Sequence, residues 1–208
     1  MQKAGAFLLL LLLGMPILLN AQEWSEPDDE PSIESDWEIY SPDLYSAGDK
    51  TFIISIGTVF PTVFLNNGEV IEHNFSPPVG GTGSLAYNYF LGSHLFIGGE
   101  VGGMFFSTLG LNTAFIIPLG ARVGYQFLLW RFEFPLNLTL GMTWHRFLNL
   151  GYYGFYMKGG GAAYYRFNSE WSFGLNANWF WFPEWTNEPK KNVDGNIIDL
   201  TLSVRYHF

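Results

Sequence analysis

The chain has 208 residues, of which 48% are hydrophobic, 19% aromatic and only 14% charged, with a formal net charge of −9. That is one domain of ordinary size with a membrane-like composition, yet beyond the N-terminus it offers no run of the roughly eighteen apolar residues that a spanning helix needs. Cysteine is absent, which excludes disulfides, thiolate chemistry, a Cys-ligated metal and a lipoprotein anchor.

Residues 1–21 carry Lys3, an apolar core from Ala6 through Leu13 and on to Leu19, and a small-residue exit ending at Ala21. This is the form of a secretory signal peptide cut after Ala21. Residues 22–49 then hold ten acidic residues and no Lys or Arg, with Pro27, Pro31 and Pro42 among them. Such a segment cannot bury a core, so a flexible acidic periplasmic arm is expected. In residues 50–208 nine Asp plus Glu are matched by nine Lys plus Arg, so the acidity belongs to the arm.

From Lys50 the pattern changes to period two, which marks strands with one greasy and one wet face. Phe52, Ile54, Ile56 and Phe60 share the first such face, and a polar connection, Leu65 to Pro78, follows. The second tract, Gly80 to Leu91, sets Leu85, Tyr87, Tyr89 and Leu91 against Ser84, Ala86 and Asn88; the third sets Leu95, Ile97, Val101 and Phe105 against Gly98, Glu100 and Gly102. In the fourth, Thr113 to Gln126, Phe115 to Tyr125 alternate with Gly120, Arg122, Gly124 and Gln126, and in the fifth Phe132 to Met142 alternate with Glu133, Pro135, Asn137 and Thr139. The sixth, Phe155 to Phe167, is Gly-rich, with Lys158 and Arg166 on its wet face. The seventh puts Trp171, Phe173, Leu175 and Trp179 opposite Ser172, Gly174, Asn176 and Asn178. After the connection Pro183 to Gly195, the eighth alternates without error from Ile198 to Phe208. Pro118 and Pro135 both point to the wet side and each removes a ladder donor, so bulges are expected there.

Eight tracts near the roughly ten residues that a tilted strand needs to cross hydrocarbon, with short and long connections alternating except after the third, imply an all-β fold. The expected architecture is an eight-stranded antiparallel up-and-down transmembrane β-barrel over residues 50–208, because closure leaves no open edge in lipid. A soluble barrel or sandwich would put the bulky set inward; here the other set is small and Gly-rich, as a narrow lumen requires. Aromatics also fall near strand ends, with Trp130 and Trp171 by short turns and Trp144, Trp179 and Trp181 toward the opposite ends, as two interfacial belts would place them.

The expected lumen carries Glu100, Arg122, Glu133, Lys158, Arg166, Asp199 and Arg205. Charges inside such a wall must pair or stay hydrated, and a network of pairs, Arg122 with Glu133 for one, would plug it. No catalytic or metal site is expected, and no cofactor or nucleic-acid partner. Glu72, His73 and Ser76 lie together in a Pro-rich loop with no rigid strand to fix them, and the Gly98–Gly103 stretch has no helix after it to make a phosphate loop.

The last strand, from Ile198 to the terminal Phe208 with Tyr206 two residues earlier, resembles the C-terminal assembly signal read by the barrel insertion machinery of bacteria. With the signal peptide and the entry Tyr40-Ser-Pro-Asp-Leu-Tyr-Ser-Ala-Gly-Asp-Lys into Phe52-Ile-Ile-Ser-Ile-Gly, the chain resembles small eight-stranded outer-membrane proteins of the OmpW, OmpX and OmpA-transmembrane type. The resemblance implies residence in the bacterial outer membrane, with lipid around the wall and outer loops Leu65–Pro78, Trp144–Gly154 and Pro183–Gly195 available to a host or environmental ligand. It leaves three activities open: a surface-exposed structural or interaction protein, an OmpW-like narrow channel for small or hydrophobic molecules, and a lipid-modifying barrel enzyme, the last without a supporting constellation.

Overall fold

The computed structural model describes residues 45–66, 68–70, 79–107, 113–147, 150–184 and 193–208. The expected signal peptide, the arm as far as Leu44, and Glu72, His73 and Ser76 lie outside the described residues.

Alternation over 50–208 becomes eight strands: β1 (Lys50–Asn66), β2 (Gly80–Phe90), β3 (Leu95–Ser107), β4 (Thr113–Leu129), β5 (Phe132–Phe147), β6 (Leu150–Arg166), β7 (Trp171–Glu184) and β8 (Val193–His207). Each pairs antiparallel with the next, and β1 pairs with β8 from Thr51↔His207 to Asn66↔Val193, which closes the barrel. A two-residue segment, Glu69–Val70, folds back on Leu65 and Asn66 at the end of β1. At the end bearing Lys50 and His207, the connections are short: residues 91–94, 130–131 and 167–170. The two-residue turn holds Trp130 in the left-handed region, φ 55°, a conformation that costs an L-residue about 1–2 kcal/mol.

The bulky phase faces outward along every strand, and Ile56, Leu119, Leu175 and Leu202 are each more than 60% exposed. The small and polar phase faces inward, where Glu100, Arg122, Thr139, Asn178 and Asp199 are buried.

Three expectations are corrected by the ladder. Trp144–Gly154 is not a loop: Trp144 pairs with Tyr153, and pairing continues to Phe147↔Leu150. Likewise β1 reaches Asn66, β7 reaches Glu184 and β8 begins at Val193, so both other loops are shorter than expected. The reason is length. Strands of 17 residues, such as β1, β4 and β6, run roughly 56 Å at about 3.3 Å per residue, beyond the roughly 30 Å of hydrocarbon. Past the lipid, greasy alternation has no purpose, and Gly-rich or polar strand reads as loop.

The second correction concerns the prolines. Register is continuous past Pro118 and Pro135, and the bulge lies instead between Pro61 and Val63 of β1. The third concerns the expected arm, 22–49, whose last five residues belong to the barrel. Tyr45 is only 4% exposed and sits in the lumen.

Candidate functional site

The inward phase fills the lumen in layers. At the short-turn end, Tyr45, Phe90 and Phe96 form an apolar cluster with Leu128 against it. The Tyr45 ring stacks on Phe90 at 3.9 Å and 10°. Its hydroxyl donates to Glu133 Oε2 at 2.8 Å and lies 3.1 Å from His207 Nδ1. That oxygen of Glu133 also accepts from Gln126 Nε2 and Arg205 Nη1, both at 2.7 Å, and Arg166 Nη1 stands 3.5 Å from Oε1. Arg205 in turn lies over the Tyr164 ring at 3.7 Å. Two guanidinium groups thus share one carboxylate in this layer. Burial pushes the Tyr45 phenol well above its ordinary pKa, so it serves as a neutral hydrogen-bonding group.

His207 bridges this layer to β7, because Ser172 Oγ lies 2.7 Å from its Nε2. Since the Tyr45 proton goes to Glu133, the network assigns the imidazole proton to Nδ1 and leaves Nε2 to accept from Ser172. The line Ser172–His207–Tyr45 has the spacing of a nucleophile, base and orienting group. Ser172 is fully buried, however, and its hydroxyl is closed to solvent.

Midway up, Lys158 Nζ lies 2.6 Å from Glu100 Oε1 and 3.2 Å from Asp199 Oδ2, and Arg122 Nη1 lies 3.7 Å from Glu100 Oε2. Asn178 donates to Asp199 at 2.7 Å. Two cations and two anions balance here, contributed by β3, β4, β6 and β8. Between the ionic layers Tyr164 donates to Asn176, which reaches Thr201 and Ser203. Above them Val59, Met104, Phe106, Ile116, Tyr156, Phe180, Phe182 and Ile197 pack into a buried apolar cluster. Space for Tyr156 comes from facing glycines, Gly120↔Gly141; a Cβ on Gly120 would lie 2.4 Å from the Tyr156 hydroxyl.

Of the charges expected in the lumen, Glu100, Arg122, Glu133, Lys158, Asp199 and Arg205 are buried and Arg166 is half-buried, and their pairs divide into two groups. Arg122 meets Glu100 rather than Glu133, because the ladder sets Arg122 opposite Thr139 and Glu133 opposite Leu128. Six residues of strand, about 20 Å, separate those levels. At the closing seam, Phe208 exchanges backbone hydrogen bonds with Lys50, at 3.0 and 3.1 Å, and stacks on Tyr206. Trp130 and Trp171 are exposed at the short-turn end, while Trp179 is exposed and Trp144 and Trp181 half-buried further along the wall. His94 bonds Ser93 and stacks on Tyr125, and His145 bonds Thr143. Two grooves, of about 780 and 540 Å³, lie on the outer wall, lined by residues such as Leu175, Leu200, Ile97 and Leu138.

Tyr45 and the inner apolar cluster were not anticipated from sequence. A signal for the cluster exists: alternation fails in Met104-Phe105-Phe106, Ala114-Phe115-Ile116-Ile117, Trp179-Phe180-Trp181-Phe182 and Ile197-Ile198, all toward one end. Where both phases are apolar, both faces of the wall are buried in something greasy.

A closed eight-stranded antiparallel wall, greasy outside and filled inside, defines the class: a small outer-membrane β-barrel. The fold is shared with the Neisserial surface protein NspA, at 10% identity and a TM-score of 0.54 over 77% of this chain and 97% of that one. It is also shared with the outer membrane protein OprG of Pseudomonas aeruginosa, at 11% identity and a TM-score of 0.50 over 79% and 97%. One protein-family model matches residues 28–206, and the chain belongs to that family. An uncharacterised protein of Treponema pallidum (strain Nichols) is 27% identical over 129 residues, which is 62% of this chain and 59% of the relative's length.

Proposed function

We propose that the protein is an integral outer-membrane barrel that acts as a surface-exposed structural or interaction protein, with a lumen closed by ion pairs. The observation that carries this reading is Lys158, held between Glu100 and Asp199 across the middle of the lumen. A second ionic layer lies on one side of it and an apolar cluster on the other. An eight-stranded interior is just wide enough to be filled by side chains, and these fill it. On this reading the short-turn end faces the periplasm, lipid covers the exposed apolar wall, and the insertion machinery reads Tyr206 and Phe208. The connections at the opposite end meet a host or environmental ligand. The buried Ser172–His207 contact gives an enzyme no substrate access, so the reading is non-enzymatic. Planar-bilayer recording should show no stable conductance, and a steady, large single-channel current would overturn the proposal.

One observation favours a second reading, an OmpW-like path for small hydrophobic molecules. The inner lining of the far half, with Phe106, Ile116, Phe180 and Phe182, is apolar. Uptake of a hydrophobic fluorophore into barrel-containing liposomes, lost on Ile116→Arg, would support that path. Uptake equal to protein-free liposomes would leave the closed lumen standing.

A further inference from the structure

We propose that the barrel floor is a phenol-recognising socket, filled in cis by Tyr45, which stoppers the lumen at the short-turn end. Tyr45 belongs to no strand. It is folded back into the lumen by a turn in which Gly48 adopts φ 107°, Ser46 N donates to Asp49 Oδ2 at 2.7 Å and Asp49 N donates to Ser46 O at 3.2 Å. The turn is pinned to β2 by Gly48 N to Phe90 O at 2.9 Å and Phe90 N to Asp49 O at 2.8 Å. A residue with a Cβ would be strained at Gly48, so the return of the chain is built into the backbone.

Every wall of the socket comes from the barrel proper. Phe90 supplies a flat apolar face at 3.9 Å and the Arg166 guanidinium a cation at 5.4 Å from the ring centroid. Glu133 supplies an acceptor and His207 a donor for one and the same hydroxyl. A group that is planar, π-rich and both donor and acceptor at its tip is a phenol. Phenylalanine would satisfy only the stack, and would leave Glu133 and His207 each short of one partner. The floor layer also carries two guanidinium groups on one carboxylate, and the ring face of Tyr45 covers part of that excess.

The absence of cysteine makes the test direct. Ser172→Cys places a single thiol on the floor, against His207, whose other ring nitrogen meets the Tyr45 hydroxyl. Barrels refolded in phosphatidylcholine vesicles are treated with a small charged methanethiosulfonate reagent, and folding is checked by the heat shift on gels. Labelling should be slow in Ser172→Cys and faster by roughly tenfold or more when Tyr45→Ala is added, the scale of two hydrogen bonds and a stacked ring. Millimolar p-cresol should restore slow labelling, and Tyr45→Phe should fall between. Equal rates with and without Tyr45, or no protection by p-cresol, would overturn the proposal. If Tyr45→Ala alone forms no heat-modifiable barrel, refolding with p-cresol becomes the readout. Recovery by p-cresol and not by toluene supports the socket, whereas equal recovery by both, or by neither, overturns it.

Discussion

Glu133 concentrates more of the lumen's electrostatics than any other described side chain. It is 2% exposed and touches Tyr45, Gln126, Arg166 and Arg205. A buried ion pair is weak evidence of net stability, but removing one partner strands the other charge, at about 3–5 kcal/mol. Glu133→Gln is therefore expected to lower barrel stability by about that amount, read as an earlier urea midpoint of tryptophan fluorescence in vesicles. An unchanged midpoint would mean that water already screens the two arginines. Adding Arg205→Met to the variant should recover part of the loss, since the stranded charge is then gone. At this scale the sequence is half legible. Period-two phasing puts these charges on the small and polar phase of their strands, because a strand side chain has only two directions available. Their partners were not legible: which charges meet depends on the stagger of eight strands around the barrel, a quantity that no single strand records. Arg122, assigned to Glu133 across a short turn, finds Glu100 on the other neighbouring strand for that reason.

At the scale of elements, β8 is where closure is decided. Its pairing with β1 runs the length of both strands, and Phe208 carries it one step past the strand end by exchanging hydrogen bonds with Lys50. The Lys50 ammonium also lies 6.0 Å from the Phe208 ring. Deleting Phe208 removes the last rung of the seam together with the terminal aromatic, so assembly in cells is expected to fail at insertion. The measurement is the yield of heat-modifiable barrel in the outer-membrane fraction; a normal yield would show that the rung is dispensable and would count against the proposed assembly signal. All eight strands were legible, since alternation is enforced wherever one face meets lipid and the other a packed interior. Their far ends were not, because beyond the lipid the pairing persists by hydrogen bonding alone and Gly151, Tyr152 and Tyr153 no longer need a greasy phase. Tyr45 was missed for a related reason. One aromatic among the several that dot an acidic stretch looks the same whether it dangles in water or returns through a turn, and only the floor of the finished barrel distinguishes the two.

For the whole molecule, one wall separates two apolar surfaces of different kinds: an inner cluster that is packed by its own side chains, and an outer belt that none of the described residues covers. The exposed belt includes Ile56, Leu85, Leu138, Leu175 and Leu202, and an apolar area of that extent in water would drive aggregation. Its depth can be read from register. Ile56 pairs with Leu202, and both stand six residues from the seam end at Lys50 and Phe208, which at the usual tilt is about 15 Å above the floor, near the middle of a bilayer. Leu202→Arg should therefore cost about 2–4 kcal/mol, whereas Leu95→Arg, at the first residue of β3 beside the floor, should cost about 0–1 kcal/mol. The check is equilibrium unfolding from vesicles for each variant. On a water-exposed wall both changes would fall within about 0.5 kcal/mol of zero, so equal and small costs would remove the bilayer from the account. A steep difference between the two positions would fix both the membrane and its depth along the strands.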